Sequence, residues 1–300
     1  MTETQSIFYR ERSYQACVAT AWRLLINEYK SVLKYSWLQA VTAGAGVALL
    51  SFLLFVHYLW FTPAALAWVA VVLLVYGLAA ACWQSSAYVQ VDFYRASGEL
   101  PHCGSHRFAG NLRHRLGRSL LSLLLFVVAL ALIGGSLYAS LCLSPWWWIA
   151  VAAVLGGVVV GGLWVQIVLV ERAPLRESWK LLRSEGLKSL GSWFLVQLTG
   201  WLTVGVISLV FFLPTIVLSA SYFVSHIGVI NGDASGMPGY AAWLYFFAAW
   251  LAGTGMHLST LLAIWPRSLM VASMVSKAKN RERQNEELLK LRQEQVALQR

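Results

Sequence analysis

The sequence predicts an all-α integral membrane protein: six transmembrane helices in three hairpins, each hairpin preceded by an amphipathic interfacial helix. Three observations carry this. First, 58% of the 300 residues are hydrophobic and only 12% are charged, about half the ~25% charge of a soluble domain. Second, no acidic or basic residue occurs between Arg118 and Glu171. That gap holds two stretches of the roughly 20 apolar residues that a spanning helix needs. Third, all 23 lysines and arginines fall on one side of the alternating segments.

The spans follow from the charge-free windows. The first runs from about Leu38 to Phe61 and the second from about Ala64 to Gln90. The third covers about Ser119 to Leu141 and the fourth about Trp146 to Val170. The fifth covers about Trp193 to Leu218 and the sixth about Tyr240 to Trp265. At about 1.5 Å rise per residue each is long enough for a ~30 Å hydrocarbon core. The turns after the first span (Thr62, Pro63) and after the third (Ser144, Pro145) carry no charge. A loop expected from Ser219 to Gly239 carries only Asp233, and its Asn231-Gly232 and Pro238-Gly239 pairs are turn chemistry. The basic blocks lie in the N-terminal segment, in Arg95–Arg118, in Arg172–Lys188 and from Arg267 onward. The positive-inside rule then places both termini in the cytoplasm of a multi-pass inner or plasma membrane protein.

Aromatic residues mark the opposite interface. Tyr58, Trp60 and Phe61 close the first span, and Trp146, Trp147 and Trp148 open the fourth, as expected of an interfacial belt. The net charge of +10 is accounted for by topology and by anionic lipid headgroups. No basic domain stands free of the apolar segments, so nucleic acid is not an expected partner. Cys17, Cys82, Cys103 and Cys142 are scattered without a CxxC pair, which argues against a disulfide framework. The first 23 residues lack the apolar core of a signal peptide, so insertion is expected to use an internal helix.

A polar helix precedes each odd-numbered span. Tyr14, Val18, Trp22, Leu25, Tyr29 and Val32 recur at spacings of three and four, one stripe of an amphipathic helix. Phe108, Leu112, Leu116 and Leu120 repeat the pattern opposite Arg107, Arg113, Arg115 and Arg118. Leu175, Trp179, Leu182 and Leu190 do so opposite Arg176, Lys180, Arg183 and Lys188. Ala21–Thr42 and Ser178–Thr199 align without a gap and share seven of 22 residues, including Trp22/Trp179, Leu24/Leu181, Leu25/Leu182 and Glu28/Glu185. The expected organisation is a membrane domain over 1–276, with units at about 12–95, 101–170 and 173–276. A cytoplasmic helical tail over 277–300 follows. Leu288, Leu291 and Leu298 in that tail sit at heptad positions, too few repeats to define a coiled coil but a possible protein-docking face.

On Ala21–Glu28 (AWRLLINE) and Ser178–Glu185 (SWKLLRSE), the layout resembles the six-helix membrane-region family attached to glycerophosphodiester phosphodiesterases and its free-standing relatives. The resemblance implies the six-helix fold over about residues 10–276. It carries no catalytic role, because the chain has no soluble phosphodiesterase domain.

Few polar residues fall inside the spans. His257, with Ser259 and Thr260 beside it, joins Gln84, Gln166, Gln197 and Thr199 as candidates to line a pocket open to the cytoplasm; the alternative is that each bonds a neighbouring helix. Gly157 and Gly161 form a GxxxG pair, for which close helix packing is the expectation; Gly44 with Gly46 and Gly253 with Gly255 offer similar notches. His102, Cys103 and His106 are metal-ligating residue types at short spacing and are candidates for a metal site, although HCxxH is not an established metal-site spacing. No GxSxG, HExxH or Walker glycine loop occurs. The expectation is therefore a protein without cofactor or catalytic constellation, acting as a scaffold, assembly or accessory component. Transport through a pocket at His257 is the alternative, and a lipid-acting enzyme is third.

Overall fold

The computed structural model describes residues 8–55, 63–98, 106–142, 148–171, 174–232 and 236–298. Among these the chain is helical, with no strand. In order, the helices are α1 (Tyr14–Asn27), α2 (Tyr29–Phe55), α3 (Pro63–Ser97), α4 (His106–Cys142), α5 (Trp148–Glu171), α6 (Leu175–Leu181), α7 (Leu190–Ile230), α8 (Tyr240–Ser259) and α9 (Leu261–Leu298). Six helical stretches are long and apolar enough to cross a membrane: Tyr29–Leu53, Ala70–Ser97, Arg115–Cys142, Trp148–Glu171, Leu190–Ile230 and Tyr240–Gln295.

The most extensive contact joins α2 and α8, and glycine makes it possible. A Cβ built on Gly253 would stand 2.8 Å from Cβ of Val47 and 2.9 Å from Cα of Gly44. The two backbones touch where neither residue has a side chain, the geometry small residues permit between apolar helices. Trp250 locks the same contact by donating its indole N–H to the Val41 carbonyl at 2.9 Å. On its other flanks α8 meets α7, where Gly255 seats the Phe211 ring. Beyond α2, contacts run from α3 to α4 and from α4 to α5.

One end of the bundle, the end that carries the basic blocks, is closed by the first half of α9. Residues 261–275 are buried almost without interruption. They touch α1, α3, α5 and α7 and form the centre of the main core with Trp83, Tyr88, Leu163, Ile167, Leu182 and Trp193. The neutral ends are packed differently. The outer part of α4 is exposed along most of its length, with Leu124, Phe126 and Leu130 more than half exposed.

Several elements depart from the sequence expectation. The loop expected from Ser219 to Gly239 is largely helix, since α7 runs on to Ile230. Ser219 and Ser221 bond back to carbonyls four residues earlier, and Tyr222 packs edge-on against Tyr245. The stop comes at Asn231-Gly232, where Gly232 adopts φ +92, a conformation that favours glycine. The sixth span is expected from sequence to end at about Trp265, yet Pro266, the next residue, lies inside α9. The break falls at Ser259–Thr260, whose hydroxyls donate to the carbonyls of Met256 and His257 and compete with the helix ladder there.

The stripe on α1 is rotated from the expected one. Cys17, Ala21, Leu24 and Leu25 are buried, Tyr14, Val18 and Trp22 partly so, and Tyr29 is exposed. In α6 the buried residue is Ser178, while Leu175 and Trp179 face outward. The two aligned segments nonetheless bury matching positions: Ala21 and Ser178, Leu25 and Leu182, Val32 and Ser189, Ser36 and Trp193. Both also break at the same register. The first breaks at Glu28 between α1 and α2, and the second in a π turn over Leu182–Gly186 that contains Glu185.

The glycine contact has a direct test. Gly253→Ala places a methyl against backbone and should destabilise the protein by about 1–3 kcal/mol, read as a lowered Tm in detergent. Gly157→Ala adds a Cβ with no atom within 4 Å and should leave Tm unchanged.

Candidate functional site

The polar residues of the basic end are organised around α3. Ser85, Tyr88 and Asp92 lie three and four residues apart, on one helix face, and meet Arg115 and Ser119, four apart on α4. Ser85 donates to Ser119 Oγ at 2.8 Å. Arg115 forks onto Asp92, with Nε donating to Oδ2 at 2.9 Å and Nη2 to Oδ1. The Arg115 side chain is 1% exposed, so the fork compensates a fully desolvated cation. Its guanidinium also stands 5.7 Å from the centre of the Tyr88 ring. The Tyr88 hydroxyl in turn accepts a 2.8 Å bond from Gln166 Nε2 on α5. Gln90, 0% exposed, has no partner for either amide atom among the described residues.

A second cation enters from α9. The Arg267 guanidinium lies 5.1 Å from the Trp201 ring on α7, a cation–π distance, and within electrostatic reach of the Tyr88 hydroxyl. Its Nε and Nη2 are buried and have no hydrogen-bond partner among the described residues.

Closer to the basic surface, the N-terminal segment is pinned across the bundle. Tyr9 donates to Glu171 Oε2 at 3.1 Å, and its ring lies between Arg95 and Lys279. Burial, then the neighbouring Glu171 carboxylate, pushes the Tyr9 phenol well above its ordinary range. Arg12 exchanges backbone bonds with Ser273 Oγ, and burial holds its guanidinium below its usual value. Cys17 is enclosed beneath it, where burial pushes the thiol up to about 11. Glu185, in the π turn, is 3% exposed and pairs with Arg281 of α9.

The residues proposed from sequence as one pocket are distributed. His257 is buried, and its Nδ1 lies 2.7 Å from the Gly253 carbonyl. A carbonyl only accepts, so that nitrogen carries the proton. Tyr76 and Trp83 meet the imidazole edge-on at 6.0 and 5.7 Å. Ser259 and Thr260 bond their own helix. Gln166 joins Tyr88 instead. Thr199 is exposed and bonds the Leu195 and Val196 carbonyls. Gln197 leaves a buried Oε1 without a partner among the described residues, and Gln84 is half-buried. A Cβ on Gly157 or Gly161 would meet nothing within 4 Å, so neither is packed within the chain. His102, Cys103, Tyr58, Trp60, Phe61, Trp146, Trp147 and Asp233 lie outside the described residues, and His106 begins α4. Among the described residues no group of three or more metal-ligating side chains gathers.

Sequence reasoning missed Asp92, Arg115, Tyr88 and Arg267. Asp92 offered a signal, as a lone acid in an apolar run (YVQVDFY). Its partner did not, because Arg115 is one of several arginines in a basic block. Neither a protein-family model, nor a curated protein, nor a solved structure matches the chain.

Asp92→Ala strands the Arg115 cation in the core and should cost about 3–5 kcal/mol. Replacing both together, Asp92→Leu with Arg115→Met, should recover most of that loss in thermal unfolding.

Proposed function

We propose that the chain is a six-span integral membrane protein with both termini in the cytoplasm, and that it works as a non-enzymatic scaffold or accessory component. One observation carries the scaffold reading. The helix whose first half is the centre of the core, α9, continues without interruption to Leu298 and is an exposed charged rod from Lys279 to Gln295. Anything bound to the rod is thereby coupled rigidly to the membrane domain. Leu288, Leu289 and Leu291 on the rod are each more than half exposed, an apolar face suited to a partner helix. The outward-facing Leu175 and Trp179 suit an interfacial position for α6, at the level of the headgroups. The three hairpins of the sequence reading, α2–α3, α4–α5 and α7–α8, are each pairs in contact. The transport reading has weaker support, because His257 has a hydrogen bond to Gly253 and an aromatic neighbour on α3 at each of two ring contacts.

Deleting residues 286–300 leaves the ties at Asn280 and Arg281 in place. It should keep Tm while abolishing site-specific crosslinks that the intact rod forms in native membranes. His257→Ala in liposomes producing a loss of solute flux would favour transport instead.

Orientation is tested with cysteine. Cys142 is exposed at the neutral end, whereas Cys17 is buried with its thiol pushed up to about 11. A membrane-impermeant maleimide applied outside intact cells should label Cys142 in a Cys82→Ala, Cys103→Ala background. Cys17 should react only after denaturation, because burial keeps it both protonated and enclosed. Labelling of Cys142 from the cytoplasmic side alone would invert the topology.

A further inference from the structure

Arg267 and the outer face of α7 together have the features of an anionic amphiphile site. Along α7, Leu198, Trp201, Leu202, Gly205, Val206 and Leu209 fall at helical spacing on one face and line an apolar groove of about 380 Å³. Gly205 forms its notch, where an added Cβ would meet no atom within 4 Å. The groove covers residues 198–210, about 18 Å along the helix axis at 1.5 Å per residue. That is close to half of a ~30 Å hydrocarbon core, the depth of one leaflet.

A cation stands beside this apolar strip. Arg267 stacks on Trp201, itself a groove residue, at 5.1 Å. Trp201 is toward the basic end of the strip, as Leu190 begins α7 at that end. Arg267 differs from the other buried cation. Arg115 has its Asp92, but no carboxylate among the described residues pairs with Arg267. Its Nε–Nη2 edge, which presents two parallel N–H groups, is buried without an acceptor among the described residues. That edge faces the protein, with Nη2 3.8 Å from where a Cβ on Gly200 would stand, so the nitrogen left for an outside anion is Nη1, which is not among the buried atoms. Leaving a desolvated cation without a counter-charge is costly. Much of the cost of dehydrating the guanidinium is already met by the fold, so an anion that pairs with Nη1 meets a cation with no carboxylate partner among the described residues. The residue is not fully buried, and Nη1 is the part of the guanidinium outside the buried set.

We propose that Arg267 and the α7 groove bind an anionic phospholipid of the cytoplasmic leaflet. The phosphate pairs with the Arg267 guanidinium above Trp201, and one acyl chain lies along Leu198–Val210 across the Gly205 notch. The proposal rests on the membrane orientation given above, which the cysteine labelling tests separately.

The test uses the full-length protein in a neutral detergent, titrated with phosphatidylglycerol, phosphatidylcholine or inorganic phosphate. Tm and native mass spectrometry are the readouts. Phosphatidylglycerol should raise Tm and appear as a retained adduct, whereas phosphatidylcholine and inorganic phosphate should do neither. Arg267→Gln should weaken phosphatidylglycerol binding by roughly tenfold or more, through loss of the charge-assisted pair. Arg283→Gln on the exposed rod should not. Should Arg267→Gln fail to fold, Gly205→Leu supplies the second variant. It fills the notch in open space, so the lipid-free Tm should hold while the phosphatidylglycerol shift is lost. A phosphatidylglycerol brominated on its acyl chain should quench wild-type tryptophan fluorescence more than that of Trp201→Phe. An equal response to inorganic phosphate would overturn the lipid assignment. So would an equal response to phosphatidylcholine, or a shift that survives both Arg267→Gln and Gly205→Leu.

Discussion

The burial of residues 261–275 is the constraint on which the rest of the structure depends. This half of α9 is surrounded by α1, α3, α5 and α7, and each of those helices gains a buried face by packing on it. Without it, the basic ends of the long helices would enclose a space lined by Trp83, Tyr88, Ile167 and Trp193. The N-terminal segment depends on it too, since Arg12 and Glu11 are tied to Ser273 and Asn280. The first and last parts of the chain are thus joined at one end of the bundle, and the π turn is tied there through Glu185 and Arg281.

The same end carries the buried charge, and the two cations there are handled differently. Arg115 and Asp92 neutralise each other between adjacent helices, an arrangement that specifies register as much as stability. Arg267 has the Trp201 face and a phenol within electrostatic reach, and no carboxylate among the described residues pairs with it. A soluble protein would gain by hydrating such a group. In a bilayer the abundant counter-ion is a lipid phosphate, which is the ground for the proposal that the apolar strip beside Arg267 takes an acyl chain.

Packing is uneven along the bundle axis. At the basic end large side chains interdigitate. Midway along the bundle the tight contact is between α2 and α8, where glycines let backbones meet. Apolar helix faces gain little by burial against one another when the surroundings are as apolar as they are, so close van der Waals contact at small residues has to supply the attraction. That accounts for the contrast between Gly44–Gly253, which are in contact, and Gly157–Gly161, which face open space despite an equally suggestive spacing.

By itself the sequence determined that this chain is helical and that it contains six stretches able to cross a membrane. Both follow from one-dimensional quantities, the length and apolarity of a segment and the absence of charge within it. The sequence did not mark the breaks at Glu28 and at Leu182–Gly186, since the stripe from Tyr14 to Val32 reads as one continuous helix. Only the tertiary structure decided which of those residues matter to one another. Asp92 meets Arg115 across 23 positions and Gln166 meets Tyr88 across 78, and no local pattern encodes such a distance. Glu28 and Glu185 are matched in sequence, yet one is exposed and the other is buried against Arg281. Arg267 stood beside Pro266 as the first residue of a basic block, just past the expected end of the sixth span. Its meaning changed because α9 continues inward through that proline, and a residue's environment is set by what the chain folds against it, not by its place in the order.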